Sequence, residues 1–147
     1  MASRIRATLV QWPWLVLEDA GVVAGYAYAG RHRDRAAYQW AVDTAVYVGD
    51  RHRRRGAGRA LYSALFELLR LQGYFKACAG VTLPNPASVG LHEAVGFKLV
   101  GVYPGIGYKL GAWRDVAWYE QALEPERENP APPKLISDVK GTWGNTS

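Results

Sequence analysis

The stretch Gly49–Leu69, GDRHRRRGAGRALYSALFELL, joins a basic loop to an amphipathic segment through two glycines. A β-rich run, Trp40–Val48 (WAVDTAVYV), precedes it. Leu61, Leu65, Leu68 and Leu69 recur at helical spacing, so one face of the segment is apolar. Gly73 supplies a C-terminal cap. The pattern predicts a strand ending at Val48, a turn holding Gly56 and Gly58, and a helix from near Gly56 to Gly73. Such an arrangement suits phosphate: glycines let the backbone approach an anion, and free N–H groups at a helix start carry partial positive charge.

Two phosphate loops are excluded by the residues that follow. A Walker-type loop needs Lys and then Ser or Thr after its last glycine, whereas Arg59 and Ala60 follow Gly58. A dinucleotide fingerprint needs a third glycine, whereas Tyr62 and Ser63 follow Leu61. The pattern that remains is Arg-x-x-Gly-x-Gly, Arg53 to Gly58.

Working outward, Trp14–Glu18 and Val22–Tyr28 read as a β-hairpin around Asp19-Ala20-Gly21, and Ser3–Val10 as the end of a helix. Arg31–Gln39 is a polar connection. Beyond the central helix, Ala77–Leu83 is a short apolar strand. Asn85 then precedes a helix with Pro86 near its first position and Gly96 at its close. Lys98–Tyr103 and Arg114–Leu123 read as two final strands. The order β-β-β-α-β-α-β-β predicts a mixed α/β domain over residues 1–123. Residues 124–147, with Pro125, Pro130, Pro132 and Pro133 and then small polar residues, read as an extended or mobile extension.

The chain has 147 residues, 49% of them hydrophobic, which suffices for one packed domain and argues against disorder. The formal charge of +5 suits an anionic ligand. One cysteine, Cys78, precludes an internal disulfide, so a reducing, cytoplasmic compartment is expected. It lies in KACAGVTL and reads as a buried small residue. No apolar run approaches the about 20 residues of a membrane span, and no signal peptide is expected. The basic run RHRRRGAGR raises nucleic-acid binding, but no reader motif accompanies it, so no nucleic-acid partner is expected.

In its strand–turn–helix setting, Arg53–Gly58 resembles the coenzyme A pyrophosphate loop of the GNAT acetyltransferases. A second segment, NPASVGLHEAVGF, is similar to a later signature of that family through Asn85, Ser88, Leu91 and Gly96-Phe97. YQWAVDTAVYV, GLHEAVGF, GYKLGAWRDVAWYEQAL and the PAPP of the tail resemble the phosphinothricin N-acetyltransferase branch, whose members acetylate the free amino group of small amino acids. The resemblance covers roughly Ile5 to Lys134. It implies a mixed sheet with flanking helices (an α+β acyl-CoA N-acyltransferase fold), acetyl-CoA as co-substrate, a small-molecule amine as partner and a homodimer. It also implies that the strand and helices that precede the hairpin in that branch are missing here, which leaves a sheet edge uncovered.

The resemblance assigns roles residue by residue. Backbone N–H groups from Arg54 to Arg59, through Arg55, Gly56, Ala57 and Gly58, cradle the pyrophosphate, with side-chain charge added by Arg53, Arg54 and Arg55. Val46, Tyr47 and Val48 pair their backbone with pantetheine, and Asn85 bonds the pantetheine arm. Asp43 stands where the branch has Glu and is the general base, acting directly or through water. It keeps the carboxylate but is one methylene shorter. His92 stands where many family members carry a tyrosine acid and is the candidate proton donor to the departing thiolate. Tyr38 and Lys109 are candidate walls of the amine pocket. Trp12, Trp14, Tyr26 and Tyr28 read as core and dimer surface, and no metal ligands are expected. The competing expectation is a protein that binds CoA without catalysis.

Overall fold

The computed structural model describes residues 3–8, 12–52 and 56–139. Its strands are β1 (Ser3–Thr8), β2 (Trp14–Asp19), β3 (Val22–Arg31), β4 (Ala41–Val48), β5 (Lys76–Thr82), β6 (Lys98–Lys109) and β7 (Ala112–Ala122). Its helices are α1 (Ala57–Gln72), α2 (Pro86–Ala94) and the short α3 (Ile136–Val139). The strands form one mixed sheet in the order β1-β2-β3-β4-β5-β7-β6, in which only β4 and β5 are parallel. α1 makes the crossover between them, as a parallel connection requires. The mixed α/β fold expected from the sequence is the one observed.

The first segment corrects the sequence reading. Ser3–Thr8 is a strand, not the end of a helix, and pairs with β2 from Ser3↔Asp19 to Thr8↔Trp14. The reason is period-two alternation. Arg4 and Arg6 stand exposed and reach Glu18 at 3.4 and 2.8 Å, while Ile5 and Ala7 pack on the core. β1 therefore covers the β2 edge that was expected to be open.

The β2–β3 hairpin turns through Ala20 (φ 57°) and Gly21 (φ 79°), the two left-handed residues of a type I′ turn. β6 and β7 run further than their patterns suggested. The ladder slips between Tyr103 and Gly107, so Pro104 interrupts the register without ending the strand. A second tight turn at Leu110 and Gly111 then closes the hairpin.

α1 lies on the sheet with Leu61, Leu65, Leu68 and Leu69 fully buried. Each such leucine contributes at most about 1.5–3 kcal/mol of transfer free energy. The stretch after Leu123 is extended, as its prolines predict, but its described part is docked on the domain. Trp40 Nε1 donates to the Ala131 carbonyl (2.8 Å), Lys134 N donates to the Gln72 carbonyl (2.7 Å), and Ile136 and Val139 are buried. No helix among the described residues is long and apolar enough to cross a membrane.

Candidate functional site

The sheet forks at Asp43. β4 and β5 pair only at Ala41↔Lys76, Val42↔Ala77 and Asp43↔Cys78 and then part. Thr44 marks the fork: its hydroxyl donates across to the Cys78 carbonyl at 3.1 Å, a bond the next ladder rung would otherwise make. Past this point β4 keeps β3 on one side only. Gly49 N donates to the Ala24 carbonyl, so alternation turns the Tyr47 and Ala45 backbones toward β3. The same alternation turns Val46 and Val48 the other way, into the gap. Their amides and carbonyls offer an unpaired edge to an extended, amide-bearing chain.

At the end of that edge stands the α1 N-terminus. Gly56 caps it in the left-handed conformation (φ 79°, ψ 7°), and no side chain fills the cap. A Cβ at Gly56 would meet nothing within 4 Å, so the space outside the turn is open. Gly58 has another purpose. A Cβ there would lie 2.8 Å from Leu91 Cδ2, so its absence lets α1 and α2 pack. The first-turn N–H groups at Ala57, Gly58 and Arg59 have the electrostatics for an anion. The unpaired edge and the uncapped helix start together fit a pantetheine pyrophosphate.

At the fork, His32 Nδ1 lies 2.6 Å from Asp43 Oδ1. β3 ends one residue before His32, and the Gly30↔Asp43 pairing places the two side chains together. A ring nitrogen of His32, a carboxylate oxygen of Asp43 and Cys78 Sγ all fall within 4.8 Å of one another. The 2.6 Å contact between His32 and Asp43 is a hydrogen bond. Burial, then the Asp43 and Glu120 charges, push the Cys78 thiol up to about 11, so it is protonated at neutral pH. His32 and Cys78 open onto a cleft of about 470 Å³ walled by Val100, Tyr103, Trp118 and Glu120. Cys78 is thus half-buried and faces the cleft, where the sequence suggested a buried filler.

The pattern of a GNAT acetyltransferase domain matches residues 1–118 of this chain. The chain belongs to the GNAT acetyltransferases. It is similar to a phosphinothricin N-acetyltransferase of Streptomyces viridochromogenes, 44% identical over 129 residues, which are 88% of this chain and 68% of that protein. An L-methionine sulfoximine/L-methionine sulfone acetyltransferase of Pseudomonas aeruginosa is 39% identical over 120 residues, covering 81% and 70% of the two chains. A phosphinothricin acetyltransferase of Sinorhizobium meliloti, solved in complex with acetyl-CoA, superimposes with a TM-score of 0.75 at 34% identity, over 85% of this chain and 71% of that one.

Within this GNAT domain the remaining sequence candidates scatter. His92 faces the core, not the cleft, at 4% exposure. Its Nδ1–H donates to the Ser88 carbonyl (2.7 Å), and its Nε2 accepts from the Tyr62 hydroxyl (2.7 Å). Burial lowers its proton affinity. Both ring nitrogens are taken, and the geometry corrects the expected role of acid. Asn85 caps α2, its Oδ1 accepting from Ser88 N at 3.1 Å, which leaves its NH₂ to donate elsewhere. Tyr38 lines a separate cleft of about 280 Å³ with Trp12, Arg31 and Tyr74. Lys109 sits at the β6–β7 turn opposite Ala112, at the far end of β6 from the cleft wall. Arg53, Arg54 and Arg55 lie outside the described residues. Trp14, Tyr26 and Tyr28 form a half-exposed stack on the sheet, while Trp12 packs on Tyr74.

Sequence reasoning missed His32 and Trp118. His32 falls in GRHRD, a polar run with no periodic signal, and only the β3–β4 register brings it to Asp43.

Proposed function

We propose that this chain transfers the acetyl group of acetyl-CoA to the free amino group of a small amino acid or analogue, of the phosphinothricin or methionine-derivative type. The carrying observation is the fork of β4 and β5, which places the Asp43 carboxylate beside the unpaired Val46–Val48 edge. The similarity to amino-acid acetyltransferases supports the substrate class.

In this reading the backbones of Val46 and Val48 hold the pantetheine arm, and an N–H there polarises the acetyl carbonyl. The first-turn amides of Ala57, Gly58 and Arg59, with the arginines before them, hold the pyrophosphate. The NH₂ of Asn85 serves the arm. Asp43 is the carboxylate of the base. When bound, acetyl-CoA supplies a thioester carbonyl and a thiolate leaving group. The chain supplies position, polarisation and a place for the amine proton.

A second reading, CoA binding without catalysis, is favoured by Asp43 being a methylene shorter than the family's Glu. Thiol release from acetyl-CoA, measured across a panel of small amino acids, separates the two. Turnover on at least one amine supports transfer. Calorimetric binding of acetyl-CoA with background turnover on every amine supports the second reading. No binding at all overturns both.

The same reading takes residues 1–123 as the catalytic domain, a homodimer as the assembly and the cytoplasm as the compartment. Exposed apolar side chains along the outer hairpin, among them Val100, Ile106, Tyr108 and Trp113, support association. Sedimentation equilibrium tests it, and a monomer at micromolar concentration counts against it.

A further inference from the structure

We propose that His32 is the group that takes the amine proton, and that Asp43 acts by holding His32. This inference rests on the acetyltransferase reading and changes which side chain meets the substrate.

Three observations carry it. First, His32 lines the cleft and Asp43 does not. Second, the Asp43 carboxylate lies 2.6 Å from His32 Nδ1. A carboxylate only accepts, so Nδ1 carries the proton. In the neutral ring the lone pair is then on Nε2, which has no hydrogen-bond partner among the described residues. Third, the indole of Trp118 meets the imidazole edge-on, with centroids 6.5 Å apart at 79°, and fixes the ring plane. A nitrogen base oriented by a hydrogen-bonded carboxylate follows the base-and-orienter logic of catalytic dyads.

The other histidines are committed elsewhere. The chain has three. His52 is bound to Asp19 at 3.0 Å, and His92 is locked in the core by Tyr62 and Ser88. The charged and titratable groups around His32 are Asp43 on β4, Cys78 on β5, Tyr103 on β6, Tyr119 and Glu120 on β7, and its neighbour Arg33. Glu120 is engaged by Lys76 at 2.7 Å, and the Cys78 thiol is protonated. His32 is therefore the uncommitted nitrogen base of the cleft. It also resolves the shortened carboxylate. Asp43 does not have to reach the amine, because the imidazole spans the distance.

The step balances. His32 Nε2 accepts one proton from the ammonium group and frees its lone pair. That pair forms the N–C bond to the acetyl carbonyl. The C–S bond breaks with its electrons on sulfur, and the second amine proton passes to that sulfur to give the CoA thiol. The imidazolium returns its proton to solvent.

The test uses His32→Ala, His32→Gln and Asp43→Asn in the full chain. His32→Ala should lower turnover by about 10²- to 10⁴-fold and leave acetyl-CoA affinity within about twofold, which also shows that the variant folds. Added imidazole should restore His32→Ala saturably and should not restore Asp43→Asn. His32→Gln keeps a donor for Asp43 but takes no proton, and should be as impaired. The double variant His32→Ala/Asp43→Asn should be no worse than the poorer single, because the two act as one unit. His32→Ala turnover within about threefold of the parent, or a loss that imidazole does not restore, overturns the proposal. Long-range ¹H–¹⁵N spectra of the free protein give a readout apart from turnover. They should show His32 as the Nδ1–H tautomer, converting in Asp43→Asn, and an Nε2–H tautomer in the parent overturns the dyad. A parent that turns over no amine counts against the acetyltransferase reading, and the dyad is then decided by the spectra alone.

Discussion

Tyr62 Oη and His92 Nε2 lie 2.7 Å apart where α1 meets α2, and this bond makes His92 part of the core. Tyr62 is fully buried, and Phe97 and Tyr119 lie within 5.1 and 6.0 Å of the imidazole centroid. The ring is neutral, with Nδ1–H committed to Ser88 and Nε2 to Tyr62.

His92→Phe should therefore cost stability, by about 1–3 kcal/mol, because it removes the ring's bonds to the Tyr62 hydroxyl and the Ser88 carbonyl and leaves that buried hydroxyl only its 3.4 Å contact with Thr44. It should also alter pH dependence. Burial holds the folded imidazole below its ordinary value of 6.5. Once pH drops below that value the unfolded chain takes up a proton here and the folded chain does not. Stability then falls with falling pH, until the folded ring titrates too. Urea unfolding from neutral pH down to about 5 should show this slope in the parent and a shallower one in His92→Phe. Parallel curves would return His92 to the list of solvent-accessible groups.

Cys78 should be a slow nucleophile although it faces the cleft. Its thiol titrates at about 11, so the reactive thiolate is scarce at neutral pH. Iodoacetamide labelling followed by intact mass should be much slower than for a free thiol at pH near 8 and should rise steeply toward 11. Rapid labelling at neutral pH contradicts the assignment.

Gly56→Asp should abolish acetyl-CoA binding. It places a carboxylate at the helix start, where the charge is unfavourable to a pyrophosphate. The position lies in open space, so folding should survive with about 1 kcal/mol lost to the left-handed backbone. Unchanged affinity in the folded variant would falsify the anion cradle.

Ile136→Ala should destabilise the domain by about 2–4 kcal/mol, because the side chain is 2% exposed within the main core. Thermal unfolding measures it. A change under about 0.5 kcal/mol would mean that the tail merely rests on the surface.

Local signals made the centre of the fold legible. The leucine spacing of α1, the Asp19-Ala20-Gly21 turn and the Pro86 start of α2 are signatures of short range, and the structure places those elements where they predict. Two features were hidden for physical reasons. Four alternating residues at Arg4–Ala7 are too short a run to distinguish a strand from a helix end, and pairing with β2 decides between them. The slip at Tyr103/Gly107 depends on β7, which no local pattern reports. The site divides in the same way. Asp43, Val46, Val48 and Gly56 follow from motif and strand order. His32 becomes visible only through cross-strand register, and the burial of His92 only through the packing of Tyr62 against it.

Transfer of an acetyl group to an α-amine is read at the acetyl carbon itself. The full chain is incubated with acetyl-CoA labelled with ¹³C at the carbonyl and with methionine sulfone, and the label is followed by NMR. The thioester carbonyl signal should be replaced by an amide carbonyl on the amino acid's nitrogen, at a rate that falls by at least about 10²-fold in Asp43→Asn. Label that leaves only as acetate, remains on CoA, or moves equally fast in Asp43→Asn would contradict it.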